Sequence, residues 1–168
     1  MNFVIALQAE ARPLIKSMKL SKRSGKTPFL VFESDNHKLV ISGIGEIKAA
    51  AATGYLLGLF DTQSEAVINL GLAGHGNLKK GDIFHANRIF KESEKIVHYP
   101  PQLLNLPFPG SSLQTCQSPR EDYSKDIGYD MEAHAFCSVA YLSCTREIVH
   151  CIKVVSDNPS NALELFDP

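Results

Sequence analysis

The ten residues EAVINLGLAG, Glu65–Gly74, decide the fold class of this chain. Ala66–Leu70 is an apolar run interrupted only by Asn69, and glycines follow it, a pattern typical of a buried strand that ends in a turn. A strand that is apolar along its whole length needs cover on both faces, and helices usually provide that cover. The stretch therefore predicts an α/β sheet.

Working outward, strands and helices alternate on both sides of this stretch. A second buried strand is predicted in FVIAL, Phe3–Leu7, followed by a helix in QAEARPLIKSM. Phe29–Glu33 and Lys38–Ser42 form a predicted hairpin, and a helix of Ala and Leu, EIKAAAATGYLLGLF, comes next. GDIFHANRIF is strand-like, and the last strand is predicted in REIVHCIKVVSD. This alternation predicts a three-layer α/β/α architecture with a central mixed sheet, in one domain spanning residues 1–168.

The least regular part of the chain runs from Glu92 to Asp126, and it is rich in proline and polar residues. It predicts a loop region with one short strand near Ser112–Cys116. A helix is predicted from Asp130, ending near Ser143–Arg146, and NPSNALELF predicts the start of a terminal helix.

The composition is that of an ordinary globular chain with one core. Its 168 residues are 44% hydrophobic and 21% charged, and the formal net charge is −1. No basic block points to nucleic acid or to an anionic membrane surface, and no apolar run is long enough to span a bilayer. The composition therefore predicts neither nucleic acid nor a membrane as a partner.

The cysteines and histidines indicate neither disulfides nor a metal site. No CxxC pair occurs among the four cysteines, and the six histidines are scattered without an HxxxH or Cys/His cluster. The start, MNFVIALQAEARPLI, lacks the basic residues and cleavage site of a signal peptide. We expect a cytoplasmic protein with reduced cysteines acting as small hydrophobes, and no metal ligands.

Polar or glycine-rich residues follow several of the predicted strands, where α/β sheets bind their ligands. Each alone has an ordinary explanation, since glycines after strands usually serve turns and an acid beside a helix suits its N-terminus. In GYDMEAHAF, for example, Asp130 and Glu132 flank Met131 where a helix is predicted to begin. The whole set comprises Glu10, SGIG (Ser42–Gly45), NLGLAG (Asn69–Gly74), MEA (Met131–Ala133) and VVSDN (Val154–Asn158).

Taken in order, these motifs resemble those of the nucleoside phosphorylase/nucleosidase superfamily, and most closely the methylthioadenosine/S-adenosylhomocysteine nucleosidases. In that family the first strand leads to a Glu that positions the attacking water, and ALQAEA supplies Glu10 in its place. The family's SGIG matches Ser42–Gly45 residue for residue. Its N-x-G-[ST]-A-G turn followed by GDI corresponds to NLGLAGHGNLKKGDI, which includes Gly74.

Two further motifs carry the resemblance into the second half of the chain. The family's EMEA signature, whose second Glu holds the ribose hydroxyls, matches DMEA and implies that role for Glu132, with Met131 packing beside the sugar or base. The R-x-x-SD motif, whose Asp protonates the purine, matches KVVSD and implies that role for Asp157. Lys153 stands at the Arg position. The implied substrate ligands also include Ser42 and Gly74.

The implied chemistry suits these residue types. Cleavage of an N-glycosidic bond builds positive charge on the ribosyl centre and negative charge on the base, which a nearby acid relieves by protonation. A carboxylate can orient and deprotonate water, and its two oxygens can accept hydrogen bonds from two vicinal hydroxyls. The resemblance implies hydrolysis of a purine nucleoside or a 5′-substituted analogue, with no cofactor and no metal. It also implies a homodimer, with the helix Ile47–Phe60 as a candidate interface or as part of the core.

The chain departs from the family pattern at three places. The segment between GDI and DMEA is shorter than the family norm, and it normally brings an aromatic residue onto the purine. Tyr123, Phe108 and Tyr99 are all possible substitutes. Leu72 replaces the Ser or Thr of the glycine turn, and Lys153 keeps the charge of the Arg without its fork.

Two other functions therefore stay open at the level of sequence. Phosphorolysis needs a phosphate site, for which Arg12, His75 and two lysines are candidates, but Glu10 would repel the phosphate. A non-catalytic relative that binds a nucleoside is the other alternative. Three acids at family positions favour catalysis over binding alone.

Overall fold

The computed structural model describes residues 1–59, 64–103, 105–120 and 122–160, and within them the predicted alternation of strands and helices is present. Three helices occur: α1 (Gln8–Ser17), α2 (Glu46–Leu59) and α3 (Ala133–Ala140), with a short 3-10 turn at Arg146–Ile148. In chain order the strands are β1 (Asn2–Ile5), β2 (Ser21–Lys22), β3 (Leu30–Glu33), β4 (Lys38–Ile41), β5 (Val67–His75), β6 (Ile83–Phe90), β7 (Val97–His98), β8 (Gly110–Thr115), β9 (Gly128–Asp130) and β10 (Val149–Asp157).

The strands form one mixed sheet, part of which closes on itself. β4, β1, β5 and β10 are successive parallel neighbours. β10 then pairs with β6 antiparallel, β6 with β8 parallel, β8 with β9 parallel, and β9 returns to pair antiparallel with β5. β5, β10, β6, β8 and β9 therefore form a closed ring. Because β1, β4, β5 and β10 are parallel, their carboxyl ends lie together at one edge.

Helices cover both faces of the sheet. In β1, Phe3 and Ile5 pack with Ala11 of α1, whereas Val4 between them packs on the other face with α2 and α3. This alternation is the period-2 pattern of a strand buried on both sides. On the second face α2 contributes Leu56 to the core. The predicted α/β class with helices on both sides of a mixed sheet is confirmed.

Several of the predicted boundaries are wrong. The strand predicted to end in a glycine turn continues through Gly71 and Gly74 to His75 as β5. The helix predicted from Asp130 begins at Ala133, because Gly128–Asp130 is strand β9, and it ends at Ala140 rather than near Ser143–Arg146. A three-residue strand is too short to produce a periodic signal.

The short strand predicted near Ser112–Cys116 is present as β8. The predicted terminal helix in NPSNALELF lies mostly outside the described residues, which end at Ser160, and Phe60 lies outside them as well.

The cysteines are free thiols, as predicted. Cys137 and Cys151 lie with their Sγ atoms 3.7 Å apart in the core, and Cys144 is also buried. Cys116 differs from the expectation of a buried hydrophobe, since it is half-buried and lines a cavity. Among the helices of the described ranges, none has the length and apolar character needed to cross a membrane.

Candidate active site

A cavity of about 460 Å³ opens at the edge of the sheet where the parallel strands end. Five of the seven residues predicted for the site line it: Glu10, Gly74, Met131, Glu132 and Asp157. They come from four separate segments, namely α1, β5, the β9–α3 junction and the end of β10. Ser42 and Lys153 lie outside the lining.

Glu10 stands on the first turn of α1 with one carboxylate oxygen turned into the protein. Oε2 is buried, and none of the described residues forms a hydrogen bond with it. Burial raises the pKa of Glu10 to about 7, an effect that the Lys153 ammonium opposes and the Glu132 carboxylate reinforces. A carboxyl group with that pKa exchanges protons near neutral pH, as a general base must.

Glu132 lies immediately before α3 but does not cap it. Asp130 performs that role, because its Oδ2 accepts a hydrogen bond of 2.9 Å from the Ala133 amide. Glu132 Oε1 instead accepts a hydrogen bond of 2.8 Å from the amide of Gly45, which has a φ of 99°. Glu132 is therefore not an ordinary acid that caps a helix N-terminus with its side chain. Its carboxylate is held toward the cavity instead. Burial also raises its pKa, against the opposing effect of Lys153.

Lys153 lies behind the cavity, and its ammonium group interacts with the nearby carboxyl groups of Asp130, Glu132 and Glu10. It is 1% exposed, and its Nζ lies 2.8 Å from Asp130 Oδ2. Burial acts to lower the pKa of Lys153, but Asp130 and Glu132 together raise it well above its ordinary value. The contact between Lys153 and a substrate stays a prediction. In its observed position Lys153 stabilises the charges of the acidic side chains Asp130 and Glu132.

Ser42 is also buried behind the cavity, at the end of β4. Its hydroxyl donates to the Gly43 carbonyl at 2.8 Å, within the SGIG turn. That turn presents the Gly45 amide to Glu132, so Ser42 belongs to the turn that holds the Glu132 carboxylate in place. Direct contact between Ser42 and a substrate stays a prediction.

Asp157 ends β10 and is fully buried, and it is hydrogen-bonded to the hydroxyls of Ser156 and Tyr123. Burial raises its pKa, and Lys80 opposes the shift. A carboxyl group in this setting retains its proton to higher pH than an exposed Asp does, as a general acid requires.

Of the three aromatic residues considered for the base side, Tyr123 lines the cavity. Tyr99 is 57% exposed, and neither it nor Phe108 is part of the lining. Sequence reasoning could not choose among the three, because the segment that holds Tyr123 has no periodicity from which to place a side chain.

Several lining residues were missed by sequence reasoning. Tyr129 is buried, its hydroxyl has no hydrogen-bond partner within the part of the chain that the structure describes, and the Arg120 guanidinium lies 5.5 Å from the centre of its ring. Lys80, Cys116 and Ser118 complete the polar part of this wall. A signal existed only for the stretch LQTCQSPRED, which stands where the family places its base-binding segment.

The residues described offer one cluster with the donor types of a metal site, but it already holds a cation. Glu46, Glu94 and His134 place a ligand atom each within 4.8 Å of one another. The Lys91 ammonium lies 2.6 Å from Glu46 and 3.3 Å from Glu94, so it offsets one of the two negative charges. The cavity lining itself thus provides acid, base and hydrogen-bonding groups, and burial raises the pKa values of its carboxyl groups Glu10, Glu132 and Asp157.

Comparison with solved structures shows the same fold in known nucleosidases. The apo 5′-methylthioadenosine nucleosidase of Arabidopsis thaliana superposes with a TM-score of 0.83 at 21% identity, over 96% of this chain and 83% of that one. The 5′-methylthioadenosine/S-adenosylhomocysteine nucleosidase of Campylobacter jejuni gives 0.74 at 17% identity, over 99% and 88%. The corresponding S. pneumoniae enzyme, solved with the transition-state inhibitor MT-ImmA, gives 0.75 at 16% identity, over 95% and 86%.

No protein-family model matches the chain, and no curated protein matches it by sequence. The likeness is therefore one of structure, at sequence identities of about one residue in five or less. It extends over nearly the whole chain and includes the sheet that carries the cavity. The chain has the nucleoside phosphorylase/nucleosidase fold that its sequence motifs predicted.

Proposed function

We propose that this protein hydrolyses the N-glycosidic bond of a purine nucleoside or a 5′-substituted purine nucleoside, of the methylthioadenosine/adenosylhomocysteine type. The observation that carries the proposal is the meeting of Glu10, Glu132 and Asp157 in one cavity, although 147 positions of sequence separate the first from the last. Solved proteins of the same fold that are named as nucleosidases support it.

In the proposed reaction Asp157 donates its proton to a nitrogen of the purine as the bond to ribose breaks. Glu10 takes a proton from water, which attacks the ribosyl carbon, so the products are the free base and a ribose derivative. Burial prepares both groups, since it raises the pKa of Asp157 and brings that of Glu10 to about 7. Two carboxyl groups with different roles set by their surroundings are a common acid–base arrangement.

Glu132 and Met131 would hold the sugar. The Glu132 oxygen bonded to Gly45 is fixed in place, which leaves the carboxylate oriented to accept hydrogen bonds from two vicinal hydroxyls. Met131 presents a flexible apolar surface beside it. Lys153 would keep Glu132 ionised, because the charge of the buried ammonium opposes the rise in its pKa.

Water is favoured over phosphate as the nucleophile by the distribution of positive charge. Arg12, the candidate phosphate ligand beside Glu10, is exposed and outside the cavity lining. The cationic side chains in the lining, Lys80 and Arg120, lie toward the base end, near Asp157 and Tyr129. A phosphate on the Glu10 side would thus meet a buried carboxyl group without an arginine to bind it.

The test is release of free base from methylthioadenosine, adenosylhomocysteine, adenosine and inosine, measured with and without phosphate. We expect release without phosphate, lost by at least 100-fold in Glu132→Gln and Asp157→Asn. Glu92→Gln is the matched control, because that carboxylate is exposed, lies outside the cavity lining and is paired at the surface with Lys125 at 3.5 Å. Release that requires phosphate would indicate a phosphorylase, and no turnover of any substrate would favour a non-catalytic nucleoside-binding protein.

We also propose a homodimer of single-domain chains in the cytoplasm. Helix α2 can serve both the core and an interface, because Ala49, Ala52 and Leu56 are buried while Ile47 is 86% exposed. Leu142, just after α3, is exposed as well. Light scattering on the purified chain tests the dimer, and Ile47→Lys should yield a monomer if α2 forms the interface.

A further inference from the structure

Tyr123 covers the two residues on which a purine base would rest in the proposed reaction. Its hydroxyl is hydrogen-bonded to the Asp157 carboxyl group, which is the proposed acid. Its ring lies against Gly74, where an added Cβ atom would come within 2.5 Å of the ring. With Tyr123 in this position, the base end of the cavity is filled by a side chain of the protein itself.

The two contacts of the Tyr123 hydroxyl can be satisfied together only when Asp157 carries a proton. A phenol has one proton to donate, and the Tyr123 hydroxyl has two oxygen neighbours, the Arg120 carbonyl at 2.6 Å and the Asp157 carboxyl group. The carbonyl can only accept, and an ionised carboxylate can only accept as well, so with Asp157 ionised the phenol can serve only one of them. With Asp157 protonated, the phenol donates to Arg120 and accepts from the carboxyl group. In that state the phenol oxygen accepts the same proton that a base nitrogen would accept.

The segment that carries Tyr123 is anchored close to this position. The Gly76 amide, one residue beyond β5, donates to the Ile127 carbonyl at 3.1 Å, and a Cβ atom on Gly76 would clash with the Lys125 backbone. Tyr123 lies just before this anchor, with its ring centre 5.5 Å from that of Tyr129. Its ring can leave the base position by rotation about its side-chain bonds while the anchor stays in place.

We propose that Tyr123 is a gate at the base end of the site: its phenol takes the place of the base nitrogen on Asp157, and a base binds only by displacing it. The inference rests on the proposed function, and it adds a selection rule. A planar base that offers a ring nitrogen replaces the lost hydrogen bond to Asp157, whereas a ring without that nitrogen leaves the buried acid unpaired. Such an unpaired group is costly, so the gate favours purines with an acceptor nitrogen.

The experiment is calorimetric titration of the intact chain with adenine and with 7-deazaadenine, which has a carbon in place of N7. Tyr123→Phe keeps the ring but removes the competing hydroxyl, so we expect it to bind both bases between about 2-fold and about 12-fold more tightly than the wild type. Tyr99→Phe loses a hydroxyl outside the cavity and is the matched control, with no change expected. Tyr123→Leu serves as the second variant, with the same direction of change expected for 7-deazaadenine.

The outcomes separate the gate from the proposed function. Equal or weaker binding of both bases by Tyr123→Phe would overturn the gate, even if the wild type hydrolyses nucleosides. Binding of neither base by the wild type and both variants would overturn it too. Tighter binding by Tyr123→Phe, in a protein that releases no base from any nucleoside, would support the gate and refute the nucleosidase proposal.

Discussion

Replacing Glu10 by Gln should make the protein more stable at neutral and alkaline pH while it abolishes base release. Glu10 has a pKa of about 7 in the folded chain against an ordinary value of 4.5, mainly because it is buried. At about 1.4 kcal/mol per pH unit, that difference corresponds to about 3 kcal/mol of unfolding free energy. Ionisation of Glu10 in the folded state is thus unfavourable, and Gln at this position never ionises.

The sign and the pH window follow from the raised pKa. Below pH 4.5 Glu10 is protonated in both the folded and the unfolded chain, so wild type and Glu10→Gln should differ by a constant amount. Between pH 4.5 and about 7 only the unfolded chain releases the proton, and the wild type loses stability relative to the variant. Above pH 7 the difference should level off, with the variant ahead by up to about 3 kcal/mol.

Urea unfolding at pH values from 5 to 8.5 measures this difference directly, and the pH-dependent part is free of the constant contribution from the amide. Glu92→Gln, at an exposed position, should change stability by less than about 0.5 kcal/mol across the range. A difference between wild type and Glu10→Gln that stays flat with pH would refute the raised pKa of the buried Glu10 carboxyl group. A variant that is less stable at pH 8.5 by the same amount as at pH 5 would do the same.

Four further predictions concern the same charged cluster, its surroundings and helix α2. Lys153→Met should lower the unfolding free energy by about 3 kcal/mol. This is the low end for a broken buried ion pair, because Asp130 keeps two other hydrogen bonds. Lys153→Arg should retain more stability, and urea unfolding checks both variants. Loss of the Lys153 charge in Lys153→Met should also shift the acid limb of the pH–rate profile to higher pH, since the pKa of Glu10 would rise further. Gly71→Ala places a Cβ atom 3.2 Å from Glu10 Oε2 and should lower kcat about 10-fold. In Gly58→Ala the added Cβ atom meets no described atom within 4 Å, so this substitution should stabilise α2 by about 0.5–1 kcal/mol, which thermal unfolding measures.

The parts of the fold predicted from sequence are those with a strong local pattern. β1, β5 and β10 were recognised by their apolar runs, and the hairpin of β3 and β4 by its turn. The closed ring was not predicted, because it depends on β9, which is three residues long and pairs with β5 through only Gly74 and His75. No sequence window of that length distinguishes a strand from the beginning of a helix.

The site shows the same division between local and long-range information. The order of motifs brought Glu10, Glu132 and Asp157 to attention, and the structure places all three in the cavity lining. Sequence could not show that Asp130 rather than Glu132 caps α3, because both acids stand within three residues of the helix start and the choice depends on the Gly45 amide, 87 positions away.

The connection between β8 and β9 is short, and this affects how the wall of the cavity could be altered. β8 and β9 are parallel neighbours, and residues 116–127 join them, about the shortest length at which a parallel connection can be made. This connection supplies one wall of the cavity, including Tyr123, whereas the three acids belong to other segments. Longer connections grafted between Thr115 and Gly128 would therefore change the shape of this cavity wall while leaving the three acids in place.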